Sequence, residues 1–533
     1  MNHIELFAGC GGLSLGLETA GFNLLVANEL SPMAAETFAY NHLNADLGAQ
    51  QNIDKVLWVS SEFSRDNIKD RLRENPNHAA GLVDNHHCSD IRGSKFTAEQ
   101  LKRSLLVGSI IDINKILKEK GNPLLKHLKN GLGEGSVDLV SGGPPCQSFS
   151  LAGARDHTNH RNELPWEFAQ FVDKVKPKIA LLENVSGILR PFKIGNSSYY
   201  AWFEVAKAFA EIGYIPLCLH INAKYVGTAQ NRPRFIMIAL RKNIYQLIKK
   251  KSKDPYLLEL LKPSAELHKK IKNGENPLYG SLPYYDIEKD NKVFNSTVLN
   301  LLSSYKGKEV SVKDAIDDLR LKKLSESDYV NHINNVFISH HPLELNKQNN
   351  HNERQNSDKV RARFRLYQIM KALPKEEAKT VSKHLKTDGL SVISSITLSA
   401  ISKHWMLNLN GGKVPHPSIK QVSELLSQLH TKKQTQRALS PNEPAPAALS
   451  IPDDACHYHE SVDMQRTLTV REMARIQSFP DWYKIKSKVT TGGQMRKFEV
   501  PQYTQIGNAV PPLLGLALGE VCRALIDIAE QES

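Results

Sequence analysis

The chain has 533 residues, 41% hydrophobic and 23% charged, which suits one large buried core with two unequal domains and argues against wholesale disorder. Six scattered cysteines without a C-x-x-C pair argue against a disulfide framework or a cysteine-held zinc. No apolar run approaches a membrane span and the N-terminus does not read as a signal peptide, so a soluble intracellular chain without a membrane role is expected, and its net charge of +13 calls for a polyanionic partner.

In chain order, residues 4–6 form a short strand that runs into Phe7-Ala8-Gly9-Cys10-Gly11-Gly12 and then a helix. Residues 23–27 are a second apolar run ending at Glu29, and Ser31-Pro32 opens a helix with a cap residue followed by proline. Residues 45–87 are polar and poorly patterned, which suits an insertion at a sheet's edge. Strand patterns follow at 137–140, 179–182 and 235–240, with helical periods at 167–175 and 201–212 between them. This alternation predicts a doubly wound, mostly parallel α/β sheet over residues 1–241.

Beyond Lys242 the alternation fades. Between Lys242 and Arg466 there are 35 Lys/Arg against 25 Asp/Glu, so most of the basic excess lies in this stretch, as suits a face that follows phosphates. Arg361 and Arg365, at i,i+4 spacing, suit a helix lying along a phosphate backbone, although a solvated helix face reads equally well. Residues 440–452, rich in proline and alanine, read as a linker. Histidine clusters at 85–88 and 456–459 lack the spaced second pair of a structural zinc and read as polar loops, so no metal is expected. Regular structure resumes at Thr469, and a long apolar helix runs from Pro512 to about Ile528.

Several short segments carry chemistry. Gly9, Gly11 and Gly12 let the backbone turn tightly and approach a ligand, and Glu29 ends the next strand where a ribose diol would sit; a tight turn beside a surface acid is the plainer alternative. Gly142-Gly143-Pro144-Pro145-Cys146 pins a loop at a strand's carboxyl end with a cysteine at its apex, the setting of a reactive rather than a buried thiol. Glu183-Asn184-Val185 places a carboxylate nearby. Burial would raise its pKa and make it an acid rather than an activator of the thiol. Gln230-Asn231-Arg232-Pro233-Arg234 fixes two arginines about a proline as a rigid donor array.

Together with Arg471-Glu472-Met473-Ala474-Arg475-Ile476-Gln477-Ser478-Phe479-Pro480 and Gln505-Ile506-Gly507-Asn508-Ala509-Val510-Pro511-Pro512, these segments resemble the DNA (cytosine-5) methyltransferase family, of the bacterial restriction-modification type, in its characteristic order. The resemblance implies a cytoplasmic enzyme that uses S-adenosylmethionine. Phe7 would stack on its adenine, Glu29 would hold the ribose, Asp90 and Ile91 would read the adenine edge, and Leu164 and Asn508 would complete the methionine end. It makes Cys146 the nucleophile, Glu183 the acid at cytosine nitrogen 3, and Arg234, with Arg232 beside it, the holder of the base carbonyl. Because the thiol cannot reach carbon 6 inside a stacked duplex, the base must flip out.

The resemblance also implies a catalytic domain at 1–241 with the insertion at 45–87. A separate, irregular target-recognition domain and linker would occupy 242–466, and 467–533 would return to the catalytic domain. Double-stranded DNA is the expected partner, read by a monomer paired with a restriction endonuclease. A tRNA cytosine-5 methyltransferase of the same fold and a non-catalytic DNA-binding regulator are the alternatives. The long basic region favours duplex DNA, and the presence of Cys146 and Glu183 speaks against a regulator.

Overall fold

The computed structural model describes residues 1–76, 88–92, 97–145, 163–194, 197–320, 325–338, 349–386, 392–447, 452–493, 495 and 498–531. Nine strands among them form one sheet: β1 (Asn2–Leu6), β2 (Asn23–Glu29), β3 (Val56–Trp58), β4 (Ser104–Val107), β5 (Leu139–Gly142), β6 (Ile179–Val185), β7 (Tyr214–Asn222), β8 (Pro233–Arg241) and β9 (Tyr285–Asp286). Their order is β9-β7-β8-β6-β5-β1-β2-β4-β3. From β3 across to β6 neighbouring strands run parallel, β8 is antiparallel to both β6 and β7, and β9 is parallel to β7.

Strands β2, β6 and β8 hold near-continuous apolar runs because both faces of the sheet are covered. In β6, Ile179 and Leu181 enter one core and Ala180 and Leu182 the other. On the first face lie helices α1 (Gly12–Thr19) and α11 (Pro512–Glu530). On the second lie α3 (Ile110–Ile116), α4 (Leu164–Val175) and α5 (Ala201–Glu211). The strand order reverses between β1 and β5, so the crevice at their carboxyl ends lies where such sheets bind ligands.

The chain between β2 and β4 carries an edge strand that the sequence reading did not pick out, and the chain after β8 differs from the sequence expectation. Within residues 45–76, β3 supplies the outermost strand and buries Trp58; three apolar residues in a polar stretch are too few for periodicity to register. The expected boundary at 241/242 moves. Helices α6 (Lys242–Lys251) and α7 (Pro255–Lys272) put Ile244, Ile248, Leu257 and Leu261 into the first-face core, and β9 extends the sheet. Val312, Ile316 and Ile333 join the same core, so residues 242–320 and 325–338 belong with the sheet.

A separate small core spans Ala362 to Cys456 and is built around α8 (Asp358–Ala372). Residues 440–447 do not behave as a free linker. Ala445 and Pro446 pair in parallel with Gln230 and Asn231, and the carbonyls of Pro441 and Glu443 accept from Lys313 and Val312. Residues 456–459 are no open loop either, since Cys456 and His457 are fully buried.

Three helices return the chain to the sheet: α9 (Val470–Ile476), α10 (Gln502–Asn508) and α11. The segment Gln502–Glu530 is long and apolar enough by composition to cross a membrane, contrary to the reading of the bare sequence, yet 72% of its most apolar stretch is buried inside the protein. It packs on α1 so closely that a Cβ on Gly16 would stand 2.3 Å from the Leu516 nitrogen.

Candidate active site

β1 ends in a turn with two consecutive tasks. Phe7 (φ 57°) and Gly9 (φ 56°) take left-handed backbone, and Gly9 has open space where a Cβ would stand. Gly11 and Gly12 face protein instead. A Cβ on Gly11 would lie 2.3 Å from His42 Nε2, and one on Gly12 would lie 2.2 Å from the Val510 carbonyl oxygen. His42 sits behind the turn between Glu18, 2.7 Å from Nδ1, and the Tyr483 hydroxyl, 3.0 Å from Nε2. Tyr483 in turn donates to the Cys10 carbonyl. The first glycine therefore opens the loop to a ligand, while the other two let α2 (Pro32–Leu43) and the C-terminal segment close on its back.

Glu29, partly buried at the end of β2, accepts the Gly9 N–H at 2.8 Å and the Ser31 N–H at 2.7 Å. Burial pushes its carboxyl up, and those two N–H groups oppose the rise. The strand beside β2 is β4, whose exit Gly108-Ser109-Ile110 lies next to Glu29: the Gly108 N–H donates to the Glu29 carbonyl at 2.9 Å.

Asp90 is elsewhere in role. Its carboxylate binds Arg71 through both guanidinium nitrogens, at 2.7 and 3.2 Å, and accepts the Trp58 N–H at 2.9 Å. Ile91 is buried in the second-face core. This pair fastens the edge strand and is not the strand exit beside Glu29, which corrects the expectation for both residues.

At the carboxyl end of β6, Glu183 lies 2.6 Å from Arg234 Nε. The two meet because Arg234 pairs with Val185 and Ile236 with Glu183, which sets them diagonally on one face. Gly143 leaves room for the carboxylate, since a Cβ there would stand 3.0 Å from it. Asn184 points to the opposite face and donates to the Pro144 carbonyl at 3.0 Å, tying the strand to the Pro144-Pro145 loop. That tie is a function the sequence reading did not assign, although Asn184 stands inside the motif. Cys146, next along the loop, lies outside the described residues.

Arg232, expected as a donor beside Arg234, is buried and turned to the C-terminal segment. Its guanidinium donates to the carbonyls of Gly507 at 3.1 Å and Ala509 at 2.8 Å. Burial and the neighbouring Arg234 push it down from its ordinary range, against the pull of Glu183. Two carbonyls aimed at a buried guanidinium make Arg232 a tether for the segment that carries Asn508, which is itself exposed. Leu164 is half-buried as the first residue of α4.

Residues 1–68 and 102–524 match the model of the C-5 cytosine-specific DNA methylase family. The chain belongs to that family, and it is a DNA cytosine-5 methyltransferase. Among its relatives, the Type II methyltransferase M.DdeI of Desulfomicrobium norvegicum is 27% identical over 98% of this chain and 88% of its own length. The Type II methyltransferase M.AgeI of Thalassovita gelatinovora is 24% identical over 99% of this chain and all of its own. Asp90 falls in the stretch 69–101 that the family model does not match, whereas the edge strand β3 that it fastens lies inside the matched stretch 1–68.

In the methyltransferase the motif from Arg471 to Pro480 is structural. Arg471 donates to the carbonyls of Asn349, Pro480 and Tyr483, while Arg475 binds Asp481 through two nitrogens and Asp318 at 2.5 Å. Arg365 is likewise no phosphate contact. It is 1% exposed, stacks 4.2 Å from the Trp405 ring centre and donates to the Trp405 carbonyl. Arg361 pairs with Asp358 at 3.0 Å.

Proposed function

We propose that the enzyme takes its methyl group from S-adenosylmethionine, acts on a cytosine flipped out of a specific duplex sequence, and protects that sequence from a partner restriction endonuclease. The Type II names of its relatives support the pairing. The observation that carries the chemistry is the buried Glu183–Arg234 pair, 2.6 Å apart at a strand end, with Asn184 holding the loop that leads into Cys146.

The residues fit the donor. The open side of Gly9, the two-point anchoring of Glu29 and the half-buried Phe7 ring form a cradle at the switch point of the sheet. Phe7 would stack on the adenine and Glu29 would hold the ribose hydroxyls. Ser109 and Ile110, at the exit of β4, take the adenine-edge role in place of Asp90 and Ile91. Leu164 and the exposed Asn508, steadied through Arg232, would line the methionine end. Bound S-adenosylmethionine supplies a methyl group on a positively charged sulfur.

On cytosine, the Cys146 thiolate adds to carbon 6, forming a carbon–sulfur bond and pushing the ring electrons toward carbon 5 and nitrogen 3. Glu183 hydrogen-bonds nitrogen 3 and Arg234 the carbonyl oxygen, so the charge that builds on the ring meets two fixed partners. Carbon 5 would then take the methyl group, the methyl–sulfur bond breaking with its electron pair left on the donor sulfur. Loss of the carbon-5 proton to water would reform the ring double bond, break the carbon–sulfur bond to Cys146 and free the thiolate. Incubation with tritiated S-adenosylmethionine and either duplex DNA or tRNA tests the reading. Label is expected at carbon 5 of cytosine in DNA; label in tRNA alone would overturn it.

A further inference from the structure

Three residues that the mechanism leaves unused form a chain beside the proposed catalytic acid. His220, on β7, has its Nδ1 2.9 Å from Asp286 Oδ2 and its Nε2 3.0 Å from Ser186 Oγ. Asp286 lies on β9 and is itself held, its other oxygen accepting the Glu288 N–H at 2.8 Å and its own N–H donating to Asp290 at 2.7 Å. The carboxylate fixes the imidazole proton on Nδ1, so Nε2 accepts and the Ser186 hydroxyl donates. Tyr284 flanks the ring edge-on at 6.5 Å, which limits its rotation.

Ser186 is the residue at which the chain leaves β6, three positions after Glu183 and two after Asn184. Asn184, Phe235 and His220 are register partners across β6, β8 and β7, so His220 reaches over Phe235 to grip the strand's exit. Asp286, which orients His220, comes from the segment after β8, which the sequence alone assigns to DNA recognition.

We propose that Asp286, His220 and Ser186 form a positioning relay that fixes the exit of β6 and thereby the geometry of Glu183, Asn184 and the loop bearing Cys146. The proposal rests on the assignment of Glu183 and Cys146 above. Ser186 touches no reacting atom. Without its anchor the strand end frays, Asn184 loses its aim at Pro144, and the thiol and acid drift relative to a flipped base. A misplacement of about 1 Å costs on the order of 10- to 100-fold in a reaction that depends on such alignment.

The test is single-turnover formation of the covalent adduct with duplex DNA containing 5-fluorocytosine, measured with S-adenosylmethionine present, beside DNA affinity and thermal stability. Ser186→Ala should slow adduct formation about 10-fold with DNA affinity unchanged within about 2-fold, and Ser186→Thr, which keeps the hydroxyl, should restore most of the rate. His220→Gln, which can still reach Ser186, should outperform His220→Asn, which can reach only Asp286. Equal rates for Ser186→Ala and the unaltered enzyme, or losses in all four variants that follow thermal stability alone, would overturn the relay. Labelling of Ser186 by a fluorophosphonate would make it a nucleophile and overturn the positioning role. Failure of the unaltered enzyme to form any adduct would instead sink the Cys146 assignment.

Discussion

At the scale of single residues, the site is a division of labour among side chains whose sequence neighbours look equivalent. Arg232 and Arg234 flank one proline, yet one holds carbonyls of the C-terminal segment and the other a carboxylate. The difference is invisible in the sequence because the partners lie some 275 positions away in one case and 51 in the other. Arg232→Ala should therefore weaken S-adenosylmethionine binding about 10-fold by releasing Asn508, while Arg234→Ala should chiefly lower turnover, by about 100-fold. Equilibrium binding and single-turnover rates separate the two, and the same effect from both would contradict the division. Cys146 stands out in the sequence by its loop, and its role stays a proposal because it lies outside the described residues. Among the described cysteines, Cys10 and Cys522 are buried and their thiols pushed up to about 12, Cys218 and Cys456 are buried with thiols pushed up likewise, and only Cys88 is exposed.

At the scale of elements, the sequence reveals those whose burial is two-sided and hides those held by a few contacts. Strands β2, β6 and β8 hold continuous apolar runs, and with β1 and β5 they stand within a few residues of where the sequence puts them, whereas the sequence reading did not pick out the equally buried β4 and β7. β3 and β9, with three and two residues, carry no pattern of their own. Asp90 misled for the same reason: without β3 in view, nothing separates the strand exit at Ser109 from an edge ion pair. Gly12→Ala tests the closure of α1 against the C-terminal segment; the new Cβ meets a backbone oxygen, so a loss of about 1–3 kcal/mol is expected in denaturant unfolding. An unchanged midpoint would mean the segment yields freely. Helix α9 should set much of the acid response. Burial alone would raise the Glu472 carboxyl, but its two-point pairing with Arg466 outweighs that and holds it at about 2. A depressed carboxyl stabilises the fold above its unfolded value of 4.5 and loses that contribution as pH falls toward 2. Denaturant unfolding across this window should fall steeply for the unaltered chain and less so for Glu472→Gln.

At the scale of the whole molecule, the basic stretch after Lys242 is two bodies rather than one. Residues 242–320 and 325–338 add to the sheet's core, and residues between Ala362 and Cys456 build a separate one, to which the proposed reading of DNA falls. Composition could not divide them, because amphipathic lysine-rich helices look alike whether they cover a sheet or face a phosphate backbone. Arg365 marks the difference: buried on Trp405, its replacement by alanine should lower thermal stability and leave the salt dependence of DNA binding unchanged, and a shallower salt slope would return it to the interface. The claim on which all three scales depend is that the loop after Pro145 delivers a nucleophile to a flipped cytosine beside Glu183. Duplex DNA carrying 5-fluorocytosine, incubated with the enzyme and S-adenosylmethionine, then denatured, digested and mapped by mass spectrometry, tests it directly. A denaturation-resistant adduct on the peptide containing Cys146 is predicted; no adduct, or one on Cys88, would contradict the account.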